Sequence, residues 1–235
     1  MPDPRDHLCV GLDTPDADSA RRMAETLGDS VTWMKVGSAL AMQGGESLVR
    51  DLKAAGKKVF LDYKFHDIDQ TVANAVSGAT RAGVDLMTVH AVAPVVRAAA
   101  DAAKQAGGGA IIAGVTVLTS LDESDLEAEG WHEGVAALVR SRAQTAVAAG
   151  ADAIVASAHE ARMLRGLLSP DVVLITPGIR APGGEAQDQK RVATPATAIG
   201  DGADLLVVAR PVIQAADPRA AAQHFLDLID AALAA

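Results

Sequence analysis

Short apolar runs alternate with longer segments of helical period along the whole chain. The apolar runs are rich in Val, Ile and Leu, and the segments between them are rich in Ala. This alternation is typical of repeated βα units around a parallel sheet. The apolar runs predict eight strands, which cover His7–Leu12, Thr32–Val36, Val59–Tyr63, Asp85–His90, Ala110–Val117, Ala153–Ser157, Val172–Thr176 and Asp204–Ala209.

The intervening segments predict the covering helices of a barrel. Eight βα units favour an α/β fold in the form of a closed, single-domain TIM (β/α)8 barrel, and 235 residues suit that fold. No linker or break in composition divides the chain, so we expect one catalytic domain over residues 1–235. The predicted helices are Asp16–Leu27, Glu46–Ala55, Ile68–Ala82, Val92–Ala106, Gly134–Ala149, His159–Leu167 and Pro218–Leu233.

Polar side chains gather where the predicted strands end. In β/α barrels the chemistry collects at the C-terminal ends of the strands, so these residues predict an active-site face. They are Asp13, Lys35, Asp62, Lys64, His90, Thr119, Ser120, the run from Thr176 to Arg180, and Arg210 with Pro211.

The stretch from Val59 to Val76 carries the strongest signal. Asp62 and Lys64 are two residues apart on a strand, so both side chains leave the same face of the sheet. Asp67 and Thr71 follow at the expected helix start, one helical turn apart. Burying an acid and a base costs several kcal/mol per ion, so such a cluster indicates function. The alternative is a solvated ion pair at a strand end, worth about 0 to 1 kcal/mol.

Composition narrows the possible functions. The net charge is -9 and no basic patch is present, which argues against nucleic acid as a partner. An acidic substrate must then be held by local cations. Cys9 is the single cysteine, and no stretch has the length of a membrane span or a signal-peptide core, so we expect a cytoplasmic protein without a membrane partner. The sequence contains no GxGxxG motif and no P-loop, so it carries no motif for a nucleotide cofactor.

Together the motifs resemble the orotidine 5'-phosphate decarboxylase family. The central motif is Asp62-x-Lys64-x-x-Asp67-Ile68, and the others occur in family order from the first strand to the last. Two positions depart from the family pattern: Asp69 stands where Pro is frequent, and Ala209 where Gly is usual. The further matching motifs are VGLD at 10–13, MKVG at 34–37, VTVLTS at 115–120, TPGIR at 176–180, DQKR at 188–191 and Arg210-Pro211.

The resemblance implies a decarboxylase that converts orotidine 5'-monophosphate to UMP and CO2 without a metal or another cofactor. Its implied catalytic residues are Lys64, Asp62, Asp67 and Lys35. Lys64 would lie beside C6 of the orotate ring, stabilise the carbanion there and deliver the proton. The aspartates would keep Lys64 protonated, and Lys35 would complete an alternating Lys-Asp-Lys-Asp array.

The resemblance also implies how the substrate is held. Asp13 and Lys35 suit the ribose hydroxyls, and Thr119 or its neighbour Ser120 suits the pyrimidine ring. Gln189 and Arg210 would bind the phosphate, and the loop 178–191 would close over the substrate as a lid. Asp67 would come from the partner subunit of a homodimer, together with its neighbours Ile68 and Thr71. The remaining implied substrate contacts are Pro177, Arg180 and Ala209.

Two other functions compete with this interpretation. Magnesium-dependent ketose-phosphate decarboxylases and aldolases share the DxKxxD barrel, but they usually have an acidic metal ligand near the end of strand two, where this chain has Lys35. A non-catalytic nucleotide-binding barrel is expected to have lost Lys64 or an aspartate, and all are present. His90 suggests a metal ligand of the kind found in phosphopentose epimerase barrels, but no second histidine stands at a matching strand end.

Overall fold

Eight parallel strands form a closed barrel in chain order. The computed structural model describes residues 2–107, 109–184 and 192–235. Each strand pairs with its sequence neighbours, and the last strand pairs with the first. All eight predicted strands are confirmed. They are β1 (Leu8–Gly11), β2 (Trp33–Gly37), β3 (Lys58–Phe65), β4 (Leu86–His90), β5 (Ile111–Val115), β6 (Ala153–Val155), β7 (Val173–Thr176) and β8 (Leu205–Val208).

Helices cover the outside of the barrel, and every predicted helix is found with ends within two residues of the prediction. Three short helices, α5, α8 and α9, were not predicted. None of the helices in the described ranges is long and apolar enough to cross a membrane. The helices are α1 (Ala17–Leu27), α2 (Gly45–Ala54), α3 (Asp69–Arg81), α4 (Ala93–Gln105), α5 (Glu123–Ala128), α6 (Val135–Ala148), α7 (Ala158–Arg165), α8 (Pro195–Gly200), α9 (Arg210–Ile213) and α10 (Pro218–Leu233).

The apolar side chains form two layers, because successive residues of a strand point to opposite faces. On β1, Leu8 and Val10 pack outward against the helices, and Cys9 points into the barrel. Every strand contributes at least one inward side chain to the interior cluster, so the barrel is filled and not a pore. Its members are Cys9, Trp33, Phe60, Leu86, Ala113, Ala153, Ile175, Leu205 and Val207.

Strand β3 is irregular where it reaches the polar end of the barrel. Leu61 pairs with Met87 of β4, but the next pairing joins Phe65 to Val89, so β3 contains two more residues than β4 between these pairs. Such a bulge bends the strand and re-aims its side chains. Lys64 lies in this bulge with φ of 49°, the one non-glycine residue with a positive φ in the part of the chain that the structure describes.

Candidate active site

A cavity of about 440 Å³ opens at the C-terminal ends of the strands. Its floor is apolar and includes Phe60, Ile175 and Val207 of the interior cluster. Polar residues from the ends of β1, β2, β3, β5, β7 and β8 surround this floor, whereas His90, predicted on the same face from the end of β4, does not line it. The predicted site residues that line it are Asp13, Lys35, Asp62, Lys64, Thr119, Ser120, Pro177, Arg180, Ala209 and Arg210.

Four charged side chains form an alternating row along one wall of the cavity. The ammonium of Lys35 lies 3.2 Å from Oδ1 of Asp13 and 3.4 Å from Oδ2 of Asp62. The ammonium of Lys64 donates to Oδ1 of Asp62 at 2.8 Å. The formal charges of the row cancel, so four ionised groups are held together without a large net field.

The burial of this row excludes the solvated ion pair that the sequence left open. The side chain of Asp62 is 15% exposed and that of Lys35 is 11% exposed, whereas Lys64 is 35% exposed and faces the cavity. Removing an aspartate and a lysine from water to this degree costs more free energy than an exposed ion pair contributes to stability. A cost of this kind at the mouth of a cavity is typical of an active site.

Neighbouring charges hold Asp62 and Lys35 ionised despite their burial. Burial raises the pKa of Asp62, but the ammonium groups of Lys35 and Lys64 outweigh this effect and bring it below the ordinary value of 3.8. Burial lowers the pKa of Lys35, but Asp13 and Asp62 outweigh it and raise the value above 10.5. Both groups are therefore charged across the whole neutral range.

The lowered pKa of Asp62 predicts how stability depends on pH. Unfolded Asp62 binds a proton near pH 3.8 while the folded group stays ionised, so lowering the pH favours the unfolded chain. We expect the difference in unfolding free energy between wild type and Asp62→Asn to be constant above about pH 5. Below about pH 5 the wild type should lose stability relative to Asp62→Asn, as the pH falls towards and through the folded-state pKa of Asp62. Urea unfolding at a series of pH values measures this, and a pH-independent difference would contradict it.

Two arginines, Arg180 and Arg210, line the same cavity as the charged row and follow β7 and β8. Arg180 follows β7, is 7% exposed and donates to the carbonyl oxygen of Ile179 at 2.9 Å. Arg210 follows β8 as the first residue of α9, and Thr119 and Ser120 lie in the segment after β5. Gln189 and residues 185–191 of the predicted lid lie outside the described residues, so the structure places neither of them.

Three predicted site residues do not reach the cavity of their own chain. Asp67, Ile68 and Thr71 are exposed and none of them lines it. Asp67 precedes α3 and its carboxylate accepts a hydrogen bond from the amide of Ile68. The expectation that Asp67 and Thr71 join Asp62 and Lys64 at one strand end is therefore wrong within a single chain, because the turn before α3 points them outward.

Thr88 of β4 belongs to the site but was not predicted. Its fully buried hydroxyl accepts from the amide of Lys64 at 2.9 Å and lies 3.0 Å from Oδ1 of Asp62. In the sequence Thr88 stands inside the apolar run LMTVH, where threonine is an ordinary strand residue. The bulge that brings it to Lys64 is a tertiary feature, so no local signal identified Thr88.

The departure at Ala209 is accommodated by a glycine on the neighbouring strand. A Cβ added to Gly11 would lie 2.9 Å from Cβ of Ala209 and 3.2 Å from Cε of Lys35. The absence of a side chain at Gly11 thus leaves room for the methyl group of Ala209 beside the charged row.

This contact predicts a coupled pair of substitutions. Gly11→Ala is expected to destabilise the fold by about 1 to 3 kcal/mol, as overpacking does. Adding Ala209→Gly in the same chain should recover most of that loss, because it removes the closer clash. Urea unfolding of the two single variants and the double variant measures the coupling. Additive effects of the two changes would show that the residues do not compete for the same space.

The imidazole rings of His66 and His90 stack beside the polar end of β4. Their centroids are 4.9 Å apart, and burial, with the nearby charge of His66, lowers the pKa of His90.

Within the described ranges no three His, Cys, Asp or Glu residues are grouped as a metal site. At the end of β2, where a magnesium-dependent relative is expected to have an acid, Lys35 lies between two carboxylates.

Comparisons with known proteins agree on one family. Residues 6–225 match the family model described as orotidine 5'-phosphate decarboxylase / HUMPS family. The chain is 50% identical over 222 residues to the orotidine 5'-phosphate decarboxylase of Rhodopseudomonas palustris strain BisB5, with 94% of each chain covered. It is 49% identical over 219 residues to the enzyme of that name from Afipia carboxidovorans, with 93% and 92% covered.

Two solved structures share the fold of this chain, and one of them is named an orotidine 5'-phosphate decarboxylase. A crystal structure of orotidine 5'-phosphate decarboxylase from Lactobacillus acidophilus superposes with a TM-score of 0.85 at 31% identity, covering 95% of this chain and 99% of that one. An uncharacterized conserved protein from Geobacillus kaustophilus superposes with a TM-score of 0.82 at 30% identity, covering 94% of this chain and 99% of that one.

Proposed function

Because the chain belongs to the orotidine 5'-phosphate decarboxylase / HUMPS family, we propose that its strand-end cavity carries out the decarboxylation with the residues described above. The activity is that of an orotidine 5'-phosphate decarboxylase, a carboxy-lyase that converts orotidine 5'-monophosphate to UMP and CO2. The observation that carries the assignment of roles is the alternating row of charges, in which Asp62 and Lys35 are largely buried and Lys64 faces the cavity.

The difficult step is the loss of CO2 from C6 of the orotate ring. When the bond between C6 and the carboxylate breaks, its electron pair stays at C6 in the plane of the ring, where no neighbouring carbonyl delocalises it. The enzyme must stabilise this charge directly. Lys64 is partly exposed to the cavity and anchored by Asp62 at 2.8 Å, so its ammonium is oriented before the charge develops. It then transfers a proton to C6, which gives UMP.

Asp62 and Lys35 prepare the site for this step. Asp62 lies beside the carboxylate that leaves, and its negative charge repels that carboxylate but not neutral CO2. The two ammonium groups keep Asp62 ionised, as the direction of its pKa indicates. Because the protein's own contacts hold the row together, little reorganisation is needed when substrate binds.

The remaining cavity residues bind the parts of the substrate that do not react. Asp13 and Lys35 hold the ribose hydroxyls, Thr119 or Ser120 holds the ring, and Arg210 with Gln189 holds the phosphate as a charge-assisted pair of contacts. In this proposal the binding energy of the remote phosphate contributes to the rate as well as to affinity. Pro177, Arg180 and Ala209 complete the wall on this side.

The active unit is a homodimer in which each chain completes the site of the other. Asp67 and Thr71 do not line their own cavity, and Ile68 beside them is 72% exposed, so all three side chains are accessible to a partner subunit. Asp67 would extend the row beyond Lys64 in the partner's cavity. The sequence has a single cysteine, Cys9, which is buried and unpaired as a disulfide, so we place the enzyme in the reducing cytoplasm.

A spectroscopic assay tests this function. Mixing purified protein with orotidine 5'-monophosphate should change the ultraviolet spectrum to that of UMP at the same rate with and without EDTA. A rate that falls in EDTA and returns with magnesium would contradict the proposed mechanism and favour the metal-dependent relatives. Lack of any spectral change in folded protein would exclude the decarboxylase function itself.

A further inference from the structure

The backbone of Lys64 is held in a conformation that lysine avoids. Its φ of 49° lies in the left-handed region, which is strained for a non-glycine residue. Such strain persists only where surrounding contacts enforce it. The bulge of β3 removes the regular ladder hydrogen bonds between Leu61 and Phe65, so the sheet itself does not hold Lys64.

Thr88 replaces the missing ladder contact. It is the residue of β4 between the two pairs that flank the bulge, Leu61 with Met87 and Phe65 with Val89. Its hydroxyl oxygen accepts the hydrogen bond from the amide of Lys64 at 2.9 Å. The hydroxyl is fully buried, so water does not compete for this bond.

The direction of the second hydrogen bond follows from the first. A threonine hydroxyl has one proton, and an ionised carboxylate is an acceptor only. The hydroxyl therefore donates to Oδ1 of Asp62, 3.0 Å away. The same oxygen accepts from the ammonium of Lys64 at 2.8 Å. The contacts close a ring that runs from the Lys64 amide through Thr88 and Asp62 to the Lys64 ammonium.

We propose that Thr88 is a positioning residue for decarboxylation, which fixes both the backbone and the ammonium of Lys64 through one buried hydroxyl. This inference rests on the role of Lys64 proposed above. Thr88 does not line the cavity, so it acts through Lys64 and Asp62 and not on the substrate. A shift of about 1 Å in a reacting group lowers the rate on the order of 10²-fold, so loss of the Thr88 hydroxyl should lower kcat.

The test compares Thr88→Val, which keeps the shape and removes the hydroxyl, with Thr88→Ser, which keeps it. We expect Thr88→Val to lower kcat by about 10²-fold with KM for orotidine 5'-monophosphate unchanged, and Thr88→Ser to retain most of the wild-type kcat. The matched control is Thr116→Val. Thr116 is also buried, and its hydroxyl donates to the carbonyl oxygen of Val155 at 2.9 Å without contacting the charged row.

Several results would overturn the proposal. Wild-type kcat in Thr88→Val, an equal loss in Thr88→Ser, or an equal loss in Thr116→Val would each show that the hydroxyl does not position Lys64. If Thr88→Val does not fold, Thr88→Ser is compared with Thr88→Cys, which is similar in size but a weak donor. A lower kcat in Thr88→Cys at a matched melting temperature supports the proposal, and equal kcat values overturn it. Inactivity of all variants and of wild type would instead contradict the proposed function.

Discussion

Replacing Lys64 with alanine is expected to reduce kcat for decarboxylation by at least about 10⁴-fold. The estimate combines loss of the proton donor, worth about 10²- to 10⁴-fold, with loss of the charge that stabilises the C6 carbanion, worth about 10²- to 10³-fold. No other ammonium among the described residues is placed to substitute, because that of Lys35 is held between Asp13 and Asp62. The conversion of orotidine 5'-monophosphate to UMP, followed by absorbance, measures the effect.

A lysine at the other end of the same strand provides the control. Lys58 begins β3, forms an exposed ion pair with Asp6 and lies over the ring of Trp33. Lys58→Ala should leave kcat unchanged, since no contact joins Lys58 to the charged row. Lys64→Ala should still bind UMP, because the phosphate and ribose contacts are intact. A Lys64→Ala enzyme that keeps even a tenth of the wild-type kcat would show that another group donates the proton.

The barrel could be predicted from sequence because its signals are local and repeated. Each strand is a short apolar run, and most helices are long enough for their period to be recognised. The missed helices are too short for that. α8 has six residues, although Thr194 as its N-cap and Pro195 as its first residue are local start signals. β6 ends at Val155, earlier than predicted, because Ser157 caps α7.

The site could be predicted only in part. Strand ends identified Asp13, Lys35, Asp62 and Lys64, because parallel strands bring their C-terminal ends to one face of the barrel. The sequence did not reveal that Asp13 takes one end of the charged row, since this depends on the register of β1 against β2. The bulge in β3 and the role of Thr88 depend on packing between strands and have no local pattern.

The outward position of Asp67 makes the subunit arrangement testable by mixing inactive variants. If Asp67 acts in the partner's cavity, Asp67→Ala and Lys64→Ala should each be nearly inactive alone. Their heterodimer has one site that lacks both residues and one that has both. Unfolding and refolding an equal mixture gives half heterodimers, so about a quarter of the sites should be intact and activity should return to about a quarter of wild type.

The same experiment separates this arrangement from a site made within one chain. If Asp67 served its own cavity, every site in the mixture would lack either Asp67 or Lys64, and refolding together would restore nothing. Mixing Lys64→Ala with Asp62→Ala is the matched control, because Asp62 and Lys64 are joined within one chain at 2.8 Å. That mixture should stay inactive. Recovery in the first mixture but not the second would place the two aspartates that flank Lys64 on different subunits, with the row completed only when the dimer forms.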